Sequence, residues 1–135
     1  MAHKGFAEIR VLYADTDAMG IVYHTNYIKW FEVGRTELFR EAGVTHDRLA
    51  ACGLFLPVTR AYCHYYAPAR YDEVLLLETE MIYVKRVSMK FRSVIREKSE
   101  GKLLVEGYTV HGCTDCEGRV IKLPEEVAFD IRRLL

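Results

Sequence analysis

Neither sign of charge is in excess in this chain: 19 basic and 19 acidic side chains cancel to a formal net charge of zero. That balance argues against non-specific nucleic-acid binding and leaves only a local basic patch as a route to it. No apolar run approaches the ~20 residues of a membrane-spanning helix. The first residues hold no basic segment followed by a long apolar core, so the expectation is a chain without a secretory leader, working in the cytoplasm. Repeats, linkers and low-complexity stretches are missing too. The 135 residues are therefore expected to form one domain, 1–135.

Cysteine is sparse, at positions 52, 63, 113 and 116, and in a reducing compartment it stays as thiol. Cys113-Thr114-Asp115-Cys116 has the spacing of a metal-ligand pair, but a structural zinc site needs four ligands. Cys52 and Cys63 form no second close pair, and His111 would need a distant partner. A turn between strands is the preferred reading, and neither metal nor redox cofactor is expected. Half of the residues are hydrophobic and 28% charged, as in an ordinary globular protein. Without net charge to keep copies apart, oligomerisation is one way to cover apolar surface.

What is present is concentrated in residues 13 to 42. Asp15 and Asp17 stand in a short loop punctuated by Gly20, and Ile21-Val22-Tyr23 leads into His24. From Asn26 the spacing is helical. At ~100° per residue, Tyr27, Ile28, Trp30, Phe31, Gly34, Leu38, Phe39 and Ala42 share roughly half the circumference. Lys29, Thr36, Glu37 and Arg40 fall opposite, with Val33 the exception. An arc that wide predicts a helix covered on much of its surface, with Gly34 letting another backbone close.

The start of such a helix has N–H groups without intrahelical partners and a partial positive charge. It can bind an anion or stabilise one that forms during reaction. A carboxylate a few residues upstream can attack a polarised carbonyl or activate water against it. The ordinary alternative is that each Asp caps or turns the chain. A calcium loop starting at Asp15 is excluded, since position five would be Met19 and position twelve Asn26.

The rest of the chain reads mostly as β. Gly5 to Ala14 is a first strand that delivers the two acids. Glu41-Ala42-Gly43 stops the helix, and Thr45 caps a short helical turn to Ala51. Leu54 to Tyr66, Val74 to Val84, Ser88 to Lys98, Leu103 to Gly112 and a short Arg119 to Lys122 follow as strands. Arg70-Tyr71-Asp72 is a loop or bulge, Ser99-Glu100-Gly101 a turn, and Pro124 begins a last helix ending at Leu135.

Asp15-x-Asp17-x-x-Gly20-x-Val22-Tyr23-His24-x-Asn26-Tyr27 resembles the signature of the 4-hydroxybenzoyl-CoA thioesterase family of hotdog-fold proteins. With Glu32 and Arg35 it is most similar to the acyl-CoA thioesterase branch associated with the Tol–Pal envelope system. The resemblance implies an α+β hotdog fold, a single antiparallel sheet wrapped around a long central helix. It also implies a homodimer or homotetramer with active sites at the dimer interface. Asp17 matches the family's catalytic carboxylate, as nucleophile or general base. The backbone N–H of His24 is implied as the oxyanion donor, with its side chain assisting proton transfer. Asp15 then shapes the loop. The substrate implied is an acyl-CoA, with Tyr23 and Tyr27 lining the acyl pocket and Lys85 and Arg86 meeting coenzyme A phosphates. A second thioesterase branch places its carboxylate on the central helix, where Glu32 stands. Glu32 is read instead as the ion-pair partner of a buried Arg35, three residues on.

Two other readings stand beside the hydrolase. One is a hotdog module that binds acyl-CoA or acyl-carrier protein without cleaving it, against which an intact Asp17 argues. The other is a hotdog dehydratase or hydratase, which adds water to an enoyl thioester and leaves the thioester bond intact. Fold alone does not choose between them.

Overall fold

The computed structural model describes residues 3–135, so residues 1 and 2 of the expected 1–135 domain lie outside the description. Strand β1 (Lys4–Arg10) is followed by a 3-10 turn at Tyr13–Asp15 and helix α1 (Asn26–Glu41). Helix α2 (His46–Ala51) and strand β2 (Val58–Tyr65) come next. Strands β3 (Val74–Val84), β4 (Ser88–Glu97) and β5 (Leu103–Gly112) then lead to helix α3 (Glu125–Arg132). All strand pairs are antiparallel, in the order β1-β3-β4-β5-β2.

The predicted helix face is the buried one: Tyr27, Trp30, Phe31, Gly34, Leu38 and Phe39 are covered. Strands across the whole sheet reach it. Gly5 of β1 lies against Leu38, Thr79 of β3 against Gly34, and Gly107 of β5 against the Phe31 ring. A flat sheet does not touch one helix from β1 to β5; this one wraps around it, which is the hotdog arrangement. Alternation supplies the other half of the core. Leu75, Leu77, Thr79 and Met81 point inward from β3, and Met89, Phe91, Ser93 and Ile95 from β4. Around the first half of α1 the core holds Val11, Val22, Trp30, Phe31, Ala69 and Leu104. Around the second half, Leu38, Phe39, Leu54, Cys113, Val127 and Ile131 close it with α3.

Several boundaries differ from the pattern-based expectation. Strand β1 stops at Arg10, because the Asp15 carboxylate accepts the Leu12 N–H at 2.8 Å and turns the chain. Strand β2 starts at Val58, past Pro57, which has no N–H to give a ladder. Arg119 to Lys122 is not a strand; a single bridge joins Thr114 to Val120. Helix α3 runs to Arg132 with Pro124 as its cap. Ile28, counted on the covered arc, is exposed. Gly43, with φ +73, ends α1 as expected, and the Thr45 hydroxyl accepts the Arg48 N–H. Cys113 is buried in the core and Cys116 is exposed on the turn that follows.

Candidate active site

Asp15 and Asp17 do different work although they are two residues apart. Asp15 is 8% exposed. Besides the Leu12 N–H, its carbonyl accepts the Tyr23 N–H and the Asn26 side-chain amide, both at 2.9 Å. It ties the loop to the helix start, as expected for a loop-shaping residue. Asp17 opens a tight turn. Its N–H donates to the Ile21 carbonyl at 2.8 Å, its carbonyl accepts from Gly20, and Oδ1 accepts the Met19 N–H at 2.8 Å. Gly20 completes the turn at φ +79, a conformation that costs glycine little. Oδ2 of this half-buried carboxylate has no hydrogen-bond partner among the described residues.

Past the turn, Val22 N–H donates to the Ala69 carbonyl at 2.9 Å and anchors the loop to the segment leaving β2. Helix α1 begins without a side-chain cap, because Thr25 makes no such bond. Among the described residues, the N–H groups of His24 and Thr25 have no backbone acceptor. The His24 ring is exposed and packs 4.5 Å from Tyr23 and 6.5 Å from Tyr65, centroid to centroid. Beside it opens a cleft of ≈ 290 Å³ lined by Ile21, Val22, His24, Tyr27, Tyr65, Tyr66, Ala67 and Pro68. The aromatic rings and Pro68 make this cleft mostly apolar.

The structure brings together some expected residues and separates others. Tyr27 lies under the cleft, 2% exposed, with its hydroxyl accepting the Ala69 N–H at 3.0 Å; burial raises its pKa. Tyr23 points to the surface instead, beside His24 but outside the cleft lining. Lys85 and Arg86 follow the Val84 end of β3, whereas its Val74 end pairs with Arg10, just before the Asp17 loop. Eleven residues of strand span up to about 35 Å, so these two cations stand at the opposite end of β3 from their own chain's Asp17 loop.

The expected Glu32–Arg35 ion pair is also absent: no carboxylate among the described residues lies within 4.0 Å of the guanidinium. Arg35 Nη1 reaches Thr109 Oγ1 at 3.4 Å. Burial lowers its pKa, and the nearby Glu32 charge partly offsets this. Tyr65, Tyr66 and Pro68 were not anticipated at the site. Their only trace in the sequence is an aromatic pair before a proline, and the tether between Val22 and Ala69 that brings them there is a long-range contact.

The profile of the thioesterase-like superfamily matches residues 11–130. The chain belongs to that superfamily. It is 36% identical over 107 residues to the acyl-CoA thioester hydrolase YbgC of Escherichia coli, covering 79% of each. The hypothetical protein TT1821 of Thermus thermophilus superposes with a TM-score of 0.90 at 32% identity over 98% of both chains. A 4-hydroxybenzoyl-CoA thioesterase superposes at 0.86, covering 99% of this chain and 100% of that one. At 22% identity, that last likeness shows the hotdog fold alone. In this superfamily member His24 joins the uncapped helix start to the cleft, and Asp17 stands in the preceding loop outside the cleft lining.

Proposed function

We infer that this protein is an acyl-CoA thioesterase, hydrolysing an acyl-CoA thioester to free acid and coenzyme A. Asp17 acts as nucleophile or general base, and the His24 N–H receives the negative charge that forms on the carbonyl oxygen. The observation that carries the reading is the uncapped start of α1, with N–H groups at His24 and Thr25 that have no backbone acceptor among the described residues, following directly on a loop whose Asp17 carboxylate keeps one oxygen unpaired. Addition to the thioester carbon moves an electron pair onto the carbonyl oxygen, where fixed N–H donors lower the barrier. Collapse of that intermediate expels the coenzyme A sulfur. A thiol ionises near pH 8.5, so thiolate leaves without full protonation and the His24 imidazole need only assist. In the nucleophilic route water then cleaves an Asp17 anhydride; in the base route Asp17 takes the proton of the attacking water directly. Metal is not required by either.

Two features of the relatives support the assignment. The Escherichia coli relative is an acyl-CoA thioester hydrolase. The 4-hydroxybenzoyl-CoA thioesterase is known as an aspartate-to-asparagine variant complexed with 4-hydroxybenzoyl-CoA. Tyr27 is the proposed wall of the acyl pocket, with Tyr23 nearer its mouth. Lys85 and Arg86 enter the reading only as residues of a second copy. We assign the working form to a homodimer at least, in the cytoplasm. Strand β2 is an open edge whose residues are all exposed except Cys63, including Val58 and Tyr62. Such an edge invites pairing with another strand.

The test is free-thiol release from acyl-CoAs of short, long and hydroxybenzoyl type, and from an acyl-carrier protein thioester, in wild type and Asp17→Asn. The reading requires hydrolysis that collapses by about 10²-fold or more in the variant while fold and oligomer size persist. A wild type that binds these thioesters without cleaving them would sink it.

A further inference from the structure

We propose that Tyr65 is a positioning residue for this hydrolysis. Its hydroxyl takes the His24 carbonyl, which fixes the backbone at the start of α1 while leaving the N–H donors there open to the thioester oxygen. The inference rests on reading that helix start as the oxyanion site.

Tyr65 is the last residue of β2, and its Oη donates to the His24 carbonyl oxygen at 2.7 Å. In an uninterrupted helix that carbonyl would accept from Ile28, four residues later. Here the i−4 ladder starts one residue further on, with Lys29 donating to Thr25 at 3.3 Å. Ile28 N–H has no backbone acceptor among the described residues. A phenol from the sheet thus replaces the bond that would close the first turn. The difference from an ordinary cap is chemical. A capping side chain accepts the N–H groups at the helix start and would compete with an oxyanion for them. A donor on the carbonyl side holds the same turn and competes for nothing.

The neighbours of Tyr65 make the clamp rigid. Its ring meets Tyr27 edge-on at 5.5 Å, and Tyr27 is bonded to Ala69, whose carbonyl in turn holds Val22. The chain is therefore gripped on both sides of Tyr23. Although 43% of Tyr65 is exposed, its hydroxyl end is packed near the Cys63 thiol; burial and that thiol push its pKa up. It remains a donor throughout the pH range of hydrolysis. Donation to the His24 carbonyl also polarises the peptide it shares with Thr25 and strengthens the Thr25 N–H as a donor.

Tyr65→Phe removes the hydroxyl and keeps the ring. Steady-state thiol release is measured for wild type, Tyr65→Phe and Asp17→Asn, together with thermal midpoints. The expected result for Tyr65→Phe is a fall in kcat of about tenfold, less than the roughly 10²–10³-fold cost of deleting an oxyanion donor outright. KM and the midpoint stay close to wild type. Inhibition by a thioether of coenzyme A bearing a ketone oxygen should weaken, and inhibition by a plain alkyl thioether should not. An unchanged kcat overturns the proposal, as does a loss confined to KM or one that follows a fallen midpoint. Asp17→Asn at the wild-type rate would overturn the underlying reading as well. A dead Asp17→Asn beside a fully active Tyr65→Phe would overturn the Tyr65 inference alone.

Discussion

Gly34 of the central helix packs directly on Thr79 of β3: a Cβ built on Gly34 would lie 2.2 Å from Thr79 Oγ1. That hydroxyl is buried and without a hydrogen-bond partner among the described residues. Gly34→Ala is expected to destabilise the fold by about 1–3 kcal/mol, the usual cost of overpacking. Thr79→Ala removes the clashing oxygen, so the glycine substitution should cost less in that background. Denaturant unfolding of the four proteins in a double-mutant cycle measures the coupling. Additive costs would show that the contact does not set the helix-to-sheet distance.

Gly107 and Gly112 stand on the same strand and should respond differently. A Cβ on Gly107 would lie 2.2 Å from the Tyr62 backbone carbonyl and 2.8 Å from Phe31, whereas Gly112 meets only Thr59 at 3.5 Å. Backbone cannot swing aside as a side chain does. Gly107→Ala is therefore expected to cost more than about 3 kcal/mol or to prevent folding, and Gly112→Ala less than about 1 kcal/mol. Soluble yield and the urea midpoint separate the two. Equal behaviour would contradict the wrapped geometry at Phe31.

His111 is expected to make stability pH-dependent. Its Nδ1 faces the Leu56 carbonyl and its Nε2 faces Thr109 Oγ1, both at 2.9 Å. A carbonyl only accepts, so Nδ1 carries the proton and Nε2 accepts from Thr109. Burial lowers the His111 pKa, with Arg35 adding to the effect. The unfolded chain takes up a proton below about pH 6.5, before the native imidazole, whose pKa is lowered, does so. This contribution is flat above that pH and falls below it, by at most about 1.4 kcal/mol per pH unit. Urea unfolding of wild type and His111→Gln at pH 7.5 and 5.5 checks this. The variant should lose less stability on acidification, and an identical loss would rule His111 out.

The two sheet edges predict an oligomer that lysine disrupts. Edge β1 carries Lys4, Glu8 and Arg10, with Lys4 paired to Glu78 at 3.4 Å. Edge β2 offers Val58, Ala61 and Tyr62 to solvent. Light scattering should give at least twice the 15.6 kDa chain mass, and Val58→Lys with Ala61→Lys should return it to one chain. A wild-type monomer, or an oligomer indifferent to both lysines, would remove β2 pairing from the account.

Much of this molecule is local, and local features are legible in order along the chain. The arc from Tyr27 to Phe39 predicted the buried helix face because helical periodicity depends only on spacing. Val74–Val84 and Leu103–Gly112 coincide with their expected bounds because each alternates against one core. The Thr45 cap and the Gly43 stop follow from side-chain chemistry within four residues. The loop acids were legible by resemblance, and Asp15 took the structural role expected of it.

What failed depended on residues far apart in sequence. Spacing put Glu32 beside Arg35, but the guanidinium turned to Thr109, 74 residues away. Lys85 and Arg86 read as basic turn residues open to phosphate, and only strand direction put them a full strand length from Asp17. Tyr65 carried no distinguishing pattern; its contact with His24 exists because β2 exits beside the loop through Val22 and Ala69. The sequence by itself determined the central helix, the five long strands, the family and the acid pair, since these rest on periodicity, capping and a contiguous motif. Only the tertiary structure decided what each polar group touches, because a buried hydrogen bond is satisfied by whichever donor the fold brings within about 3 Å.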